Sequence, residues 1–359
     1  MEQTEKLAET IMRRYPRAGL YPYKNWSYSQ GFMLWGFILL YKTAGNAKYR
    51  DYVLEFCDSH VEESGTIPAF SGGDMDDMFN GSVLVWAHEQ TGNKKYEKAC
   101  HHIRAAFDDY PRTKEGGFWH SRKLPHQMWV DGVFMGQMFF SKYARHFSGA
   151  DIRETINQLQ IIYHYCNKNS TGLILHAYSD DRMAPWADPV TGLSPEVWSE
   201  GLGWYALMLP HALEAMDKNI VGYDSIVRQY RELAESLKAA QNKETGLWYQ
   251  VVDKGENGDN WTDTSGSAMF QYSILRALQM GIVKGTEYEE LVQRGHEGIL
   301  TRIHENSDGL LDITGACDGL CVQKSYSDYV HYPRQINAKE AVAAVLWALE
   351  EYDNYVMTN

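Results

Sequence analysis

Apolar residues recur along almost the whole chain at the three- and four-residue intervals of amphipathic helices, and strand-like alternation is rare and short. The spacing predicts helices over 3–14, 27–43, 47–60, 76–91, 94–107, 128–146, 151–166, 196–216, 223–241, 265–280, 286–301 and 337–354. No Pro- or Ser-rich linker separates them and no low-complexity tract interrupts them, so a single all-α domain over 1–359 is expected.

Two weak repeats suggest how the helices are arranged. Residues 43–49 resemble residues 91–96, each running from Thr through Gly and Asn to Tyr between two apolar segments. Gly and Asn suit the tight turn between antiparallel helices. A Gly followed by apolar or aromatic residues recurs at Gly65, Gly117, Gly172, Gly246 and Gly309. That interval accommodates two helices plus loops, and six such units fill the chain. A closed ring of six helical hairpins, an (α/α)6 barrel, explains the repeat better than an open solenoid, whose units are usually shorter and more regular. In such a ring the loops before the inner helices converge on a cleft at one end.

Composition alters this picture only in places. At 359 residues, with 44% hydrophobic and 23% charged, the chain has the makeup of an ordinary globular protein with a sizeable core. Its 13% aromatic content suits either core filling or a cleft in which flat side chains stack on sugar rings. The net charge of −13 disfavours nucleic acid and anionic membranes as partners, but not a small anionic substrate. The cysteines, 57, 100, 166, 317 and 321, are odd in number and scattered, which is not a disulfide framework. Cys317 and Cys321 are spaced to pair or, with His331, to bind a metal, but no second metal-type cluster accompanies them. The first residues lack the basic and apolar regions of a signal peptide, and the longest apolar run, 31–41, is too short to cross a bilayer. The expected compartment is the cytoplasm, with a monomer or homodimer as the assembly.

Against this background a few polar residues stand out. Asp131 follows Gly117, Phe118, Trp119, His120 and then Gln127, Met128 and Trp129. At helical spacing it shares a face with Met128, Phe134, Met135 and Met138. A carboxylate on an apolar stripe is costly, and burial raises its pKa toward that of a general acid. The competing reading is a buried Asp that only caps a backbone or bonds a Tyr. Asp74, Asp76 and Asp77 lie where a helix begins, which favours the anion, and at least one of them is expected simply to cap. Asp76 paired with Asp131 gives an anionic and a protonated carboxyl, the asymmetry that separates acid from base roles. His176 ends a short extended segment. Trp26 and Tyr28, Trp198 to Trp204 with Glu200, and Trp261 all lie in aromatic loops before predicted helices. No GxGxxG, P-loop, HExxH or GxSxG motif occurs, which disfavours nucleotide cofactors, zinc hydrolysis and serine-esterase chemistry.

In their order along nearly the whole chain, several stretches resemble glycoside hydrolase family 105, the unsaturated rhamnogalacturonyl hydrolases, and more distantly the family 88 unsaturated glucuronyl hydrolases. The stretches are 75–81, 117–120, 127–132, the segment ending in His176, 203–205 and 264–269. The resemblance implies an (α/α)6 barrel that needs no metal or cofactor. It also implies a substrate left by polysaccharide lyases, a small oligosaccharide ending in a 4,5-unsaturated uronate and derived from pectin or a glucuronate-containing glycan. It makes Asp131 the catalytic Asp and Asp76 the second carboxylate, with His120, His176 and Trp204 contacting substrate and Tyr28 lining the pocket. Trp26, Trp129 and Trp261 complete the aromatic candidates. Many family members carry Arg where this chain has Glu200, and Glu200 is expected to repel an anion there and to change the preferred sugar. A sugar epimerase, an ordinary glycosidase and a non-catalytic oligosaccharide-binding protein are the alternatives.

Overall fold

The structure is a computed structural model and describes residues 1–358. Its helices are α1 (Glu2–Arg14), α2 (Tyr28–Ala44), α3 (Ala47–His60), α4 (Asn80–Thr91), α5 (Lys94–Ala105), α6 (Val130–His146), α7 (Ile152–Cys166), α8 (Ser199–Ala215), α9 (Tyr223–Ala240), α10 (Thr264–Gln279), α11 (Thr286–Leu300), α12 (Tyr326–Val330) and α13 (Lys339–Thr358). All the predicted helices form, and α12, too short for a periodic pattern, is additional.

Six helices form an inner ring. α2, α4, α6, α8, α10 and α13 each pack on the next, and α13 closes back on α2. The outer helices α3, α5, α7, α9 and α11 lie against them, and α1 packs on α13. The molecule is therefore the expected all-α barrel of six hairpins, but the sixth hairpin joins the two ends of the chain. Burial explains which helices go where. α8 buries nearly its whole circumference, as a helix surrounded by others must, whereas α9 buries only the stripe Ile226, Gln229, Tyr230, Leu233, Ala234 and Leu237.

Both sequence repeats now have a physical meaning. Gly45 and Gly92 end α2 and α4 in the left-handed region, with φ of 66° at each. The following Asn46 and Asn93 cap α3 and α5 through their side-chain oxygens. The second repeat marks the return from each outer helix to the next inner one, because Gly65, Gly117, Gly172, Gly246 and Gly309 all lie on those loops.

The loops leading to the inner helices carry short antiparallel pairs. β1 (Gln127–Trp129) pairs with β2 (Ala177–Ser179), and β3 (Trp248–Tyr249) with β4 (Thr262–Asp263). β5 (Ile303–Glu305) pairs with β6 (Leu311–Ile313), and β7 (Ala316–Cys317) with β8 (Arg334–Gln335). These pairs stiffen the end of the barrel where the inner helices begin.

Candidate active site

At that end a cleft of ≈310 Å³ opens, a size that suits a small ligand. It is lined by the starts of five inner helices or the turns before them: Tyr28 on α2, Asp76 before α4, Asp131 on α6, Glu200 and Trp204 on α8, and Lys339 on α13.

Asp131 sits in the first turn of α6, directly after β1, and is 9% exposed. The β1–β2 pairing holds Trp129 opposite Ala177, and the Val130 amide donates to the His176 carbonyl at 2.9 Å. The His176 ring is thereby placed beside the carboxylate, with Nε2 3.1 Å from Asp131 Oδ2. These two buried atoms are close but not aligned as a hydrogen bond. His176 Nδ1 lies 2.8 Å from the Tyr329 hydroxyl, and Trp198 packs against the ring, tilted by 36° with centroids 4.6 Å apart.

Asp76 does not lie in the first turn of α4 as expected. It lies in a separate 3-10 turn, Met75–Asp77, that Asp74 caps by accepting the Asp76 amide at 3.1 Å. Burial, followed by the like charges of Asp74 and Asp131, pushes the Asp76 carboxyl well above the usual aspartate range. The expectation of an anionic Asp76 is therefore corrected. Crowding by two carboxylates outweighs the nearby helix start, and Asp76 favours the proton. Asp77 turns away, accepts from Ser71 Oγ at 2.7 Å and lies 3.8 Å from Lys24 Nζ.

His120 stacks on Trp129 with ring centroids 4.4 Å apart and 9° between planes, and its Nε2 is 3.8 Å from Asp76 Oδ1. Burial lowers its pKa, although Asp74 and Asp131 oppose the shift. Gly132 makes room for this ring, since a Cβ there would stand 2.8 Å from His120 Nδ1. Asp74, Asp76 and His120 each bring one ligand atom within 4.8 Å of the others, a spacing that fits a cation as well as a proton. Among the described residues, Cys317, Cys321 and His331 form no such cluster, and Cys317 and Cys321 are free thiols.

Glu200 lies deeper, 1% exposed, with its Oε2 accepting from Ser265 Oγ at 2.8 Å. Burial, then Glu340 and Asp263, push its pKa well above the glutamate range. The expected repulsion of an anion is corrected accordingly, because this environment favours the neutral acid. Lys339 holds Asp318 and Glu340, both at 3.0 Å, and Glu340 accepts from the Tyr28 hydroxyl and from the Gly319 amide at 3.1 Å.

The profile described as Glycosyl Hydrolase Family 88 matches residues 3–356. This chain belongs to that family. A glycoside hydrolase from family 105 of C. acetobutylicum ATCC 824 is 29% identical, with a TM-score of 0.92 over 99% of this chain and 100% of that one. The unsaturated glucuronyl hydrolase of Bacillus sp. GL1 is 12% identical at a TM-score of 0.69, covering 96% of this chain and 94% of that one, and shares the fold. Protein Atu3128 of Agrobacterium fabrum and the 24.9 kDa protein in picA locus of Rhizobium radiobacter are each 34% identical over 151 residues, 40% of this chain. The chain spans 63% of the length of these two curated relatives. The chain is thus a helical barrel of the Glycosyl Hydrolase Family 88, and among its described residues no helix is long and apolar enough to cross a membrane.

The cleft of this family 88 protein gathers most of the residues singled out from sequence. Tyr28, Asp76, His120, Trp129, Asp131, Glu200 and Trp204 line it, and His176 backs Asp131. Three expectations about the lining are corrected: His176, fully buried behind Asp131, is outside it, and so are Trp26 and Trp261. Trp26 is outside the lining, stacked on Phe56 at 5.8 Å, with its Nε1 donating to the Asp77 carbonyl at 2.9 Å. It anchors the turn that carries Asp76. Trp261 is also outside, with its Nε1 donating to the Val330 carbonyl at 2.9 Å and the Arg334 guanidinium over its ring. Trp204 reaches the cleft but stacks on Phe134 at 5.1 Å, so it forms a wall rather than an open platform. Sequence reasoning missed Lys339, Glu340 and Tyr329. The first two carry the signal that revealed Asp131, charges at the head of an apolar helix. Tyr329 lies in a five-residue helix without any periodic pattern.

Proposed function

We propose that this family 88 hydrolase removes a 4,5-unsaturated uronate from the non-reducing end of lyase-generated oligosaccharides by hydrating the C4=C5 double bond. The observation that carries this reading is the pair Asp76 and Asp131 in one cleft, crowded by Asp74, with Asp76 pushed toward the protonated form. Two close carboxyls that cannot both ionise easily keep one proton between them, and that proton is a property of the pair. Asp131 delivers it to C4, and water adds at the electron-poor C5 while the carboxylate takes up a water proton. The C5 hemiketal opens to a ketone, leaving a hemiacetal at C1 that expels the neighbouring sugar. Neither carboxyl displaces the leaving group, so the rule relating carboxylate separation to stereochemistry does not apply. The reaction needs only a proton and water.

The lining suits a sugar: Trp129, Trp198 and Trp204 supply apolar walls, and Lys339 is a buried cation among them. Glu200 in its neutral form offers a hydrogen-bond donor to the sugar, which favours a hydroxyl-bearing partner at that point. The test is loss of the ultraviolet absorbance of the conjugated uronate on incubation with lyase products of rhamnogalacturonan, homogalacturonan and glucuronate-containing glycans. A fall with one of these, abolished in Asp131→Asn, is expected. No fall across the panel with folded protein would overturn the reading and favour an ordinary glycosidase or an epimerase.

A further inference from the structure

The imidazole of His176 is held by a hydroxyl that comes from the far side of the sequence. His176 is fully buried between the face of Trp198 at 4.6 Å and the edge of Trp129 at 5.8 Å. Its Nδ1 meets the Tyr329 hydroxyl at 2.8 Å. The same hydroxyl oxygen accepts the Gln323 amide at 3.3 Å. Tyr329 packs in one apolar cluster with Trp198, Val251, Cys317, Leu320 and Val330, whose side chains carry no oxygen acceptor.

If the ring carried its proton on Nδ1, both that N–H and the Gln323 amide would donate to the phenol oxygen. The phenol proton would then be buried without an acceptor, which costs roughly 1–3 kcal/mol in general. With Nδ1 as acceptor the hydroxyl and the Gln323 amide are both satisfied, and the ring proton is left on the nitrogen beside Asp131. The Gln323 amide donates to the hydroxyl, the hydroxyl donates to Nδ1, and Nε2–H faces Asp131 Oδ2 at 3.1 Å. Burial raises the Tyr329 pKa, which keeps the phenol proton available.

We propose that Tyr329 is a positioning residue for the carboxyl pair, holding His176 as the Nε2–H tautomer so that the N–H, and not a lone pair, is turned toward Asp131 Oδ2. The role in turnover rests on the hydratase reading above; the tautomer does not. The short helix α12 is tied down for this purpose. Gln250 Nε2 donates to the Tyr329 carbonyl at 3.3 Å, Trp261 Nε1 donates to the Val330 carbonyl at 2.9 Å, and Ser325 caps the first turn. Trp261 therefore serves the site from behind.

The experiment combines nitrogen NMR of the ¹⁵N-histidine-labelled full chain with steady-state kinetics on the responding unsaturated disaccharide, for wild type and Tyr329→Phe. His176 in the wild type should show a protonated Nε2 and an unprotonated Nδ1. In Tyr329→Phe the two tautomers should mix, and kcat should fall roughly 10- to 100-fold with KM unchanged, less than the ~10²–10⁴ a positioned acid–base group contributes. A wild-type Nδ1–H signal overturns the proposal, and so does a variant that keeps its tautomer or its kcat. The wild-type spectrum decides the tautomer even where the variant fails to fold. Absence of turnover in the wild type across all unsaturated substrates would overturn the functional reading and leave the tautomer to the spectrum.

Discussion

Asp76 and Asp131 are the same residue type with different neighbours, and their roles follow from those neighbours. Asp131 faces an imidazole at 3.1 Å, whereas Asp76 faces two further carboxylates and a His at 3.8 Å. Asp131→Asn keeps the shape and removes the transferable proton, so kcat should fall by about 10²–10⁴ with little change in KM. The Asp74, Asp76 and His120 spacing supplies a second test. If the cluster serves to crowd a proton, exhaustive dialysis against a chelator leaves kcat unchanged. Activity lost on dialysis and restored by a divalent cation would show a metal role instead. Asp131 was legible in sequence because one charge interrupted an apolar stripe. Trp26 and Trp261 were misread because a Trp before a helix looks the same whether its indole faces a cleft or donates to a buried carbonyl. The upward shift of the Asp76 pKa was illegible because it comes first from burial, which only the fold sets, and then from Asp74 and the sequence-distant Asp131.

Each inner helix works with the loop before it, and the loop supplies the chemistry while the outer helix supplies support. The pattern of the helices was readable because outer helices show one buried stripe and inner ones are apolar nearly all round. That the ring closes was readable, but the make-up of its sixth hairpin was not, since the partner of α13 is α1, at the other end of the sequence. α1 buries Leu7, Ala8 and Ile11 against the barrel, with Thr4 bonded to Asp353 and Arg14 to Asp312. Because the sixth hairpin lacks a connecting loop, its two helices are held by non-covalent contacts, among them the ion pair of the Met1 amino group with Asp353 at 2.6 Å. Leu7→Ala should therefore cost about 2–5 kcal/mol, the usual range for a fully buried Leu. Thermal unfolding followed by circular dichroism should show a clearly lowered Tm. An unchanged Tm would mean that α1 is dispensable to the ring.

Across the whole molecule, charge is gathered at both ends of the barrel. The end opposite the cleft is a polar pocket lined by Lys142, His211, Glu214, Arg276, Glu350 and Glu351. Burial pushes Glu350 up to about 8 from 4.5, with Glu351 adding to the shift. A carboxyl with a raised folded-state pKa stabilises the fold while it is protonated. Its contribution is complete below about 4.5 and is lost as pH rises to about 8. Burial moves His211 the other way, from 6.5 to about 4, so its contribution is present above 6.5 and is lost on acidification. Buried Lys142, lowered from 10.5 to about 8, changes stability only above about 8, where stability rises with pH. Of these three groups, only Glu350 changes stability between 6.5 and 8, and it lowers stability as pH rises. Thermal unfolding in steps across that window should show Tm falling with pH, with a shallower slope in Glu350→Gln, which keeps a neutral side chain of similar size beside Thr43. Identical slopes in the two proteins would mean that Glu350 is ionised throughout, with Lys42 as its neighbouring cation.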